Sequence, residues 1–402
     1  MIALVGGHLA DPLLGWDGPA DVYLGPDGVV DVRRPGEAAP DGEWEARDCR
    51  GLLVLPGPID TLCRLDLDPD PWREGPEDLA AAAAAAGYTA VLAHTRSTDP
   101  RRIAALAAGG RPVRFHPVAA ATAGGGLADM GLLARAGAVA FSDWPAALGD
   151  AARVRQALAY AGALGRPLVL RAELADLVGG GVAHEGPLSF AMGLRGIPSA
   201  AEVAAVARDI AAAAGAGPLP HFAALSAAGS LGVLGGASAG VTAHHLALTE
   251  QAIRGYRTEA KLSPPLRTEA DRLALVAAAR AGRLLLASGH APCPPEEKAC
   301  EYDYASCGGP ALEGALSLGL EVLGPRGLAQ AASAGPARRF GLPGGTLAPG
   351  APADATVFDP ACAWTAGPSS PAAGRRLTGR ALLTVVAGRV VFSLDDECIK
   401  MR

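Results

Sequence analysis

The feature that most constrains the fold is a repeated alternation of short apolar runs with longer helix-like stretches, such as Ala200–Ala214 and Glu269–Ala281. The apolar runs have the length of strands and are largely apolar throughout, as strands buried on both faces should be. They are Thr89–His94, Val113–Ala120, Gly137–Asp143, Pro167–Glu173, Pro218–Ser226, Gly240–Leu248 and Arg283–Pro292. With about eight repeats over roughly 290 residues, the alternation predicts an α/β chain whose parallel sheet closes into a (β/α)8, TIM-like barrel.

The two ends of the chain share a different sequence pattern from that of the middle. Residues 1–55 contain strand-sized apolar runs that end in Gly or Pro, and similar runs return at Gly350–Asp359 and Ala381–Phe392. We therefore expect a small β-sandwich domain built from both termini, residues 1–55 with residues 344–402, beside a barrel domain of residues 56–343.

Charge and hydropathy exclude several partners. The net charge is −6, which gives no electrostatic footprint for nucleic acid or an anionic membrane. No run approaches the ~18 apolar residues of a membrane span. Asp11 follows the first ten residues directly, and no Lys or Arg precedes Arg33, so no secretory signal is recognisable. We expect a cytoplasmic protein that binds neither nucleic acid nor membrane.

Polar side chains collect where the predicted strands end, which in such barrels is the rim that carries function. They are Asp60, His94, Asp143, Arg171, Glu173, His221, His244, His245 and His290. No His-x-His spacing occurs, and the adjacent pair His244–His245 would point to opposite faces of a strand. The simplest interpretation of each isolated His is a hydrogen-bonded core or loop residue. A zinc site of His290 with Cys293, Cys300 and Cys307 stays possible on residue type, but the spacing is wider than the usual clip.

A series of motifs resembles dihydroorotase of the amidohydrolase superfamily, and the motifs follow one another in the family's order over nearly the whole chain. They are LPGPID (Leu55–Asp60), the segment Glu77–Val91, GIPSAAEVAAVARDI (Gly196–Ile210), AHHLALT (Ala243–Thr249), KLSPPLR (Lys261–Arg267), GHAPCPPEEK (Gly289–Lys298), GPARRFGL (Gly335–Leu342) and Gly345–Pro360. The resemblance implies a metal-bearing barrel of the amidohydrolase type with a flanking β-sandwich. It also implies zinc ions that activate a bridging water, and an Asp that carries its proton.

This chain departs from the family at the residues that carry that chemistry. The resemblance assigns metal ligation to Leu62, Arg64, Asp143, Arg171 and Ala224, and of these only Asp143 keeps the family's residue. Gly289 stands where the family has its catalytic Asp. The former substrate-pocket positions are also changed, and they are Asp66, His94, Ser263 and Cys293. We therefore expect no catalytic residue and no metal.

The changed site residues are consistent with two functions. The first is a non-catalytic dihydroorotase homologue of pyrimidine biosynthesis that acts as a structural or regulatory partner of aspartate carbamoyltransferase, within a homo- or hetero-oligomer. The alternative is a hydrolase of cyclic amides with a reduced or altered zinc site at Asp143, His244 and His290. A third possibility, a small-molecule sensor, has no specific support in the sequence.

The substitutions also predict an electrostatic replacement. Removing divalent cations leaves buried carboxylates without counter-charge, which is costly. Two ligand positions have become arginines, whose guanidinium groups stay protonated. We expect Arg64 or Arg171 within about 4 Å of Asp60, Asp143 or Glu173, with Leu62 and Ala224 filling the remaining space.

Overall fold

The computed structural model describes residues 1–67 and 73–394. Eight strands pair in parallel, each with the next along the chain, and the last strand reaches the first through a bridge between Cys63 and His290. The strands are Ile59–Arg64, Ala90–His94, Arg114–Ala119, Ala140–Ser142, Leu168–Leu170, His221–Phe222, Ser238–Thr242 and Leu284–Ala287. The predicted (β/α)8 barrel is confirmed.

Helices separate the barrel strands and cover their outer face. The described α-helices are Pro76–Ala86, Pro100–Ala107, Met130–Arg135, Ala151–Ala163, Ala175–Val178, Pro187–Ala191, Ala200–Ala213, Ala228–Val233, Ala243–Ala247, Glu269–Arg280, Leu312–Ala329 and Gly335–Phe340. Shorter 3-10 turns lie at Glu250–Ile253, Thr258–Ala260 and Pro295–Glu297, and a π-helical turn lies at Gln330–Ala334.

Local sequence explains where these helices begin and end. The first has Pro76 at its opening position and ends at Gly87, whose φ of +93° suits a residue without a Cβ. Thr268 caps the start of the helix Glu269–Arg280 with a capping box. Its hydroxyl accepts the backbone amide of Asp271, and the Asp271 carboxylate accepts the backbone amide of Thr268. The long helix Leu312–Ala329 bends at Gly324, whose φ is +69°. None of the described helices is long and apolar enough to cross a membrane.

A separate β-rich domain flanks the barrel. Seven strands of its sheet follow one another in the order Arg389–Ser393, Arg376–Val386, Ala355–Thr365, Leu53–Pro56, Ile2–Asp11, Trp16–Gly25 and Gly28–Arg33, and an eighth, Glu45–Asp48, pairs with Ile2–Asp11. Strands from both ends of the chain therefore share one sheet. The exact boundaries at residues 55 and 344 remain predictions, and residues 395–402 lie outside the described part.

Asp354 joins the β-rich domain to the barrel. Its carboxylate accepts two hydrogen bonds from Arg114, at 2.8 Å to Nε and 3.0 Å to Nη2, and a third from the Ala387 amide at 2.7 Å. Its backbone carbonyl accepts the Gly57 amide at 2.8 Å, immediately before the first barrel strand. This bidentate ion pair fixes where the chain enters the barrel.

The prediction that His244 and His245 lie on a strand is wrong. The strand Ser238–Thr242 ends two residues before His244, and both histidines lie in the short helix Ala243–Ala247. The Thr242 hydroxyl caps this helix and accepts the His245 amide at 3.3 Å. A Thr directly after an apolar run is a common helix start, so the capping preference overrides the run's strand-like composition.

A buried network ties the segment Ser263–Arg267 to the barrel. The Glu202 carboxylate is 2% exposed and accepts hydrogen bonds from the backbone amides of Ser226 and Ala227, each at 3.0 Å. It also accepts the hydroxyls of Ser226 and Ser230. Arg267 donates to the same Ser226 hydroxyl at 2.9 Å. Charge is thus compensated in an interior region, where an unpaired ion would be costly.

Candidate functional site

A cavity of about 250 Å³ opens at the carboxyl ends of the barrel strands. Among residues 1–67 and 73–394, its wall combines apolar, hydroxyl, thiol, imidazole and guanidinium groups and includes no carboxylate. The lining residues are Leu62, Arg64, Trp144, Pro145, Arg171, Thr242, His244, His245, Leu262, Ser263, Ser288, Gly289, Ala291, Ser306, Cys307, Gly308 and Ala311. This is the rim on which barrels of this class carry their functional groups.

Arg171 spans one side of this cavity. Its guanidinium donates to the Glu173 carboxylate and the Pro145 carbonyl, and its Nη2 lies 2.6 Å from the hydroxyl oxygen of Ser263. The expected approach of an arginine to Glu173 is therefore found. A protonated guanidinium now links the end of one strand with two loops of the rim.

Arg64 takes a different partner from those expected. Its Nη2 lies 2.7 Å from a carboxylate oxygen of Asp66, and no ion pair joins it to Asp60, Asp143 or Glu173. Both side chains are a little over one quarter exposed. The Arg64 Nε is buried and has no hydrogen-bond partner. Arg64 and Asp66, which the resemblance assigns to a metal-ligand position and a substrate position, thus compensate each other's charge.

The Asp60 carboxylate finds its hydrogen-bond donors without an arginine. Its buried carboxylate accepts the Ser288 amide at 2.7 Å and also the Ser288 hydroxyl. The Cys63 thiol donates to it at 2.7 Å, and burial raises the pKa of that thiol well above its ordinary value. Backbone and hydroxyl donors stabilise an ionised carboxylate as a cation would.

Asp143 also finds partners away from the cavity. Its carboxylate accepts the backbone amides of Ala121 at 2.9 Å and Thr122 at 3.0 Å, and the Thr122 hydroxyl at 2.6 Å. It lines a separate surface depression that also includes Arg96. Asp143, the residue to which the resemblance assigns the surviving family ligand, therefore holds a neighbouring loop.

The remaining former ligand positions are apolar. Leu62 and Ala224 are both buried and belong to one hydrophobic cluster with Trp144 and Ala291. Dispersion contacts now occupy space at these positions, in agreement with the sequence-based expectation. His94 packs edge-on against Trp144 with ring centroids 5.5 Å apart, and its Nε2 lies 3.0 Å from the Thr61 carbonyl.

The buried histidines near the rim are held neutral. Burial lowers the pKa of His94 to about 4, against a small opposing effect of its hydrogen bond to Thr61. Burial, followed by the neighbouring His245, lowers the pKa of His244 to about 3. Burial likewise lowers the pKa of His245 to about 4, and this ring bonds the Thr242 hydroxyl at 2.7 Å and the Pro264 carbonyl at 3.1 Å. Desolvation disfavours the charged imidazolium in each case.

The position at which the resemblance places the family's catalytic Asp lies in a turn that favours glycine. Gly289 has a φ of +72°, and a Cβ placed there would come within 2.9 Å of Thr242 Cγ2. A residue with a side chain would meet both obstacles in this backbone conformation. The next histidine, His290, has its Nε2 2.8 Å from Glu74, while its Nδ1 accepts the Ala311 amide at 3.1 Å.

The cavity brings together only part of the predicted set. Leu62, Arg64, Arg171, Ser263 and Gly289 line it. Asp66, His94, Asp143, Ala224 and Cys293 lie outside its lining, although Ala224 packs in the cluster beneath it.

The sequence analysis missed Thr242, Ser288 and the cavity position of Cys307. Ser288 could have been found, because it follows the last strand directly and precedes Gly289. Cys307 enters the cavity from a loop, for which the sequence gives no comparable signal.

The donor set does not fit the zinc ions that the resemblance implies. Within residues 1–67 and 73–394, no three His, Cys, Asp or Glu side chains lie in an arrangement that could hold a metal ion. His290 bonds Glu74, Asp143 bonds Ala121 and Thr122, and only His244 of the alternative three-residue site lines the cavity. A permanently charged guanidinium is not a metal ligand.

Comparisons with known proteins agree with the architecture. Residues 53–229 match the family described as Dihydro-orotase-like. Proteins named dihydroorotase from Citrifermentans bemidjiense and Anaeromyxobacter dehalogenans are each 38% identical to this chain. The alignments cover 97% and 98% of this chain and 99% and 98% of those relatives.

Solved structures share the fold at lower identity. L-hydantoinase (dihydropyrimidinase) from Arthrobacter aurescens matches with a TM-score of 0.84 at 20% identity, over 98% of this chain and 97% of that one. D-hydantoinase (dihydropyrimidinase) from Thermus sp. matches with a TM-score of 0.80 at 22% identity, over 99% and 97%. With near-complete alignment to the named relatives and the same barrel architecture, the chain belongs to the dihydroorotase-like family of amidohydrolases.

Proposed function

We propose that this chain is a dihydroorotase homologue that does not hydrolyse dihydroorotate and that serves as a structural or regulatory partner of aspartate carbamoyltransferase. The observation that carries the proposal is Arg171. At a position where the family keeps a metal ligand, its guanidinium bonds Glu173, Ser263 and Pro145. This arrangement supplies neither a Lewis acid nor a base for opening a cyclic amide.

The partnership is supported by what the chain retains. The alignment with named dihydroorotases covers 97% of its length, so the scaffold is kept while the chemistry-bearing residues have changed. In such a case the surface, not the pocket, carries the function. The partner is the enzyme of the preceding step of pyrimidine synthesis, and the complex is a hetero-oligomer in the cytoplasm.

Catalysis is tested in both directions of the reaction. The purified chain, after incubation with excess zinc and removal of free metal, is assayed for hydrolysis of dihydroorotate and for its formation from carbamoyl-aspartate. The dihydroorotase of Citrifermentans bemidjiense serves as the positive control. We expect no turnover above the buffer rate and less than stoichiometric zinc by elemental analysis.

Stoichiometric zinc together with turnover would overturn the proposal. Hydantoin and dihydrouracil are included in the same assay, because hydrolysis of either would favour the alternative of a cyclic-amide hydrolase with an altered metal site.

Association is tested separately with aspartate carbamoyltransferase from the same organism. Sedimentation velocity of the mixture should show a species heavier than either component, and the transferase alone should differ in assembly or activity. Two independently sedimenting components with unchanged transferase activity would contradict the partnership.

A further inference from the structure

Three aromatic rings project into solvent from loops on the carboxyl side of the barrel. Phe190 is 89% exposed, Tyr304 is 81% exposed and Tyr256 is 51% exposed. They belong to the loops after the fifth, eighth and seventh barrel strands, respectively. A single exposed apolar residue is ordinary, whereas aromatic rings grouped on one rim are typical of interaction surfaces.

The loops that carry these rings are held in place. The Tyr256 hydroxyl donates to the Met192 carbonyl at 2.8 Å, two residues beyond Phe190. Tyr256 also has a φ of +60°, a backbone conformation that is unfavourable for a bulky residue. One buried hydrophobic cluster joins the three loops through Ala183, Leu188, Leu194, Ile253, Ala260, Leu266 and Tyr302. Rings that are fixed in this way lose little conformational freedom when a partner binds.

Positive charge surrounds the first two rings. Arg254 and Arg257 flank Tyr256 and are exposed. The Arg254 Nε donates to the Gln251 side-chain oxygen at 2.6 Å, and the Arg257 Nη2 donates to the Ala373 carbonyl at 3.0 Å. Within residues 1–67 and 73–394, no carboxylate forms an ion pair with either arginine, and Glu250 and Glu259 of the same loop are only partly exposed. We call Phe190, Arg254, Tyr256 and Arg257 the basic patch.

Negative charge accompanies the third ring. Glu296, Glu301 and Asp303 precede Tyr304 in its loop and are exposed. In the part of the chain that the structure describes, none of the three carboxylates forms an ion pair. Lys298 lies among them in sequence, but its Nζ donates to the backbone carbonyls of Thr258 and Ser306. We call Glu296, Glu301, Asp303 and Tyr304 the acidic patch.

The two patches lie on loops that are bonded to each other. The Thr258 hydroxyl donates to the Lys298 carbonyl at 2.8 Å, and the Lys298 Nζ donates to the Thr258 carbonyl at 2.8 Å. Opposite charges therefore stand on neighbouring loops, and no ion pair of the described residues joins the two patches. A surface with this arrangement is complementary to itself when it is turned by a two-fold rotation.

We propose that this rim is an interface with a second copy of the chain, in which the basic patch of each copy contacts the acidic patch of the other. A two-fold axis between the patches satisfies both contacts at once, as a closed dimer requires. The exposed rings supply apolar area, and the complementary charges set the orientation of the two copies. This inference goes beyond the proposed function and does not depend on it, because it concerns only the surface of the loops.

The first test is sedimentation equilibrium of the full-length chain over a series of concentrations. We expect a species of twice the mass of one chain that grows with concentration. Raising NaCl from about 50 mM to about 500 mM should weaken dimerisation by about tenfold, because salt screens the charge pairs. A chain that stays monomeric up to about 100 µM at the lower salt concentration would overturn the inference.

Charge reversal locates the interface. Arg254→Glu with Arg257→Glu makes both patches acidic, and Glu301→Arg with Asp303→Arg makes both patches basic. Each double variant alone should dimerise at least about 100-fold more weakly, because like charges then face each other. An equimolar mixture of the two double variants should form a dimer again, since every acidic patch of one then meets a basic patch of the other.

The matched control is Arg283→Glu with Arg389→Glu, which changes the net charge equally. Both arginines are exposed, Arg283 precedes the strand Leu284–Ala287, and Arg389 lines a depression at the amino end of the strand Arg114–Ala119. The control should dimerise within about twofold of the unmodified chain. Thermal unfolding shows whether each variant is folded.

Phe190→Ser tests the interface without a change of charge. Because the ring is 89% exposed, its loss should leave the fold intact and weaken dimerisation by about tenfold. Leu273→Ser is its control, since Leu273 is 53% exposed on the helix Glu269–Arg280.

Two further results would overturn the inference. The first is a dimer that both charge reversals leave unchanged, and the second is a mixture of the two folded double variants that stays monomeric. Each result leaves the proposed function standing, because association with aspartate carbamoyltransferase is measured separately. Absence of that association would remove the proposed partnership and leave the self-association data valid.

Discussion

Two charged networks hold the rim of this barrel, and they differ in how much water reaches them. The Glu202 network is buried, and its carboxylate, in a residue 2% exposed, accepts hydrogen bonds from two backbone amides and two hydroxyls. The Arg171 network lies at the cavity, where its arginine and Glu173 are 20% and 22% exposed. Both meet the segment Ser263–Arg267, one through Ser263 and the other through Arg267.

The difference shows that the geometry of the rim and the charge at the cavity wall depend on two separate hydrogen-bond networks. In the Glu202 network a buried carboxylate accepts two amides and two hydroxyls, so its geometry is fixed strongly. In the cavity the charged groups are partly hydrated and can exchange a protein partner for water or a ligand. We infer that the first network stabilises the rim more strongly, whereas the second keeps charged groups at the wall of the cavity.

Glu202→Ala should have the largest effect on stability. The substitution leaves the Ser226 and Ala227 amides unpaired and removes the counter-charge of buried Arg267. We expect the free energy of unfolding to fall by about 3–5 kcal/mol in urea titrations. Glu321→Ala, which removes a carboxylate 47% exposed, is the control and should cost no more than about 1 kcal/mol. Equal losses for the two variants would remove the distinction between the networks.

Arg171→Ala should have an intermediate effect. It breaks the bonds to Glu173, Ser263 and Pro145, but water reaches part of the vacated space. We expect a loss of about 1–3 kcal/mol, the range for hydrogen bonds to charged groups. A loss as large as that of Glu202→Ala would show that the cavity network is as dry as the buried one.

Acid should destabilise the fold through its buried, neutral histidines, of which His94, packed against Trp144, is one. The pKa of His94 is lowered to about 4, so below pH 6.5 the unfolded chain binds a proton there that the folded chain does not. Stability is therefore full above about pH 6.5 and falls as the pH drops toward 4. By pH 5.5 His94 alone should account for a loss of about 1.4 kcal/mol.

His94→Asn measures this contribution directly. The difference in unfolding free energy between pH 8 and pH 5.5 should be smaller in the variant by about 1.4 kcal/mol. An identical acid-induced loss in both proteins would mean that His94 is not held neutral by burial.

Arg64→Ala should have the smallest effect. Its ion pair with Asp66 is a little over one quarter exposed on both sides, so we expect a change of about 0–1 kcal/mol in the free energy of unfolding. The comparison with Arg171→Ala keeps residue type and cavity constant and varies the number of partners and their exposure. If Arg64→Ala lowered the free energy of unfolding more than Arg171→Ala does, the expected ranking of the two variants would be contradicted.

The barrel and the shared terminal sheet could be predicted because periodicity and turn residues act locally. The pairing of the arginines was only partly predicted, although a signal existed. Arg64 with Asp66 and Arg171 with Glu173 are each two residues apart after a strand, and in extended chain such residues share a side. The fate of Asp143 could not be predicted, because its partners are backbone amides of Ala121 and Thr122, which any residue type presents.

The bonds of Arg171 bear on how such a chain could change by single substitutions. A step from Arg171 to His would lose the contacts with Glu173, Ser263 and Pro145. It would gain no metal, because Leu62, Arg64 and Ala224 still offer no ligand. At this position, a step toward a metal-ligating residue therefore lowers stability before any other ligand is in place.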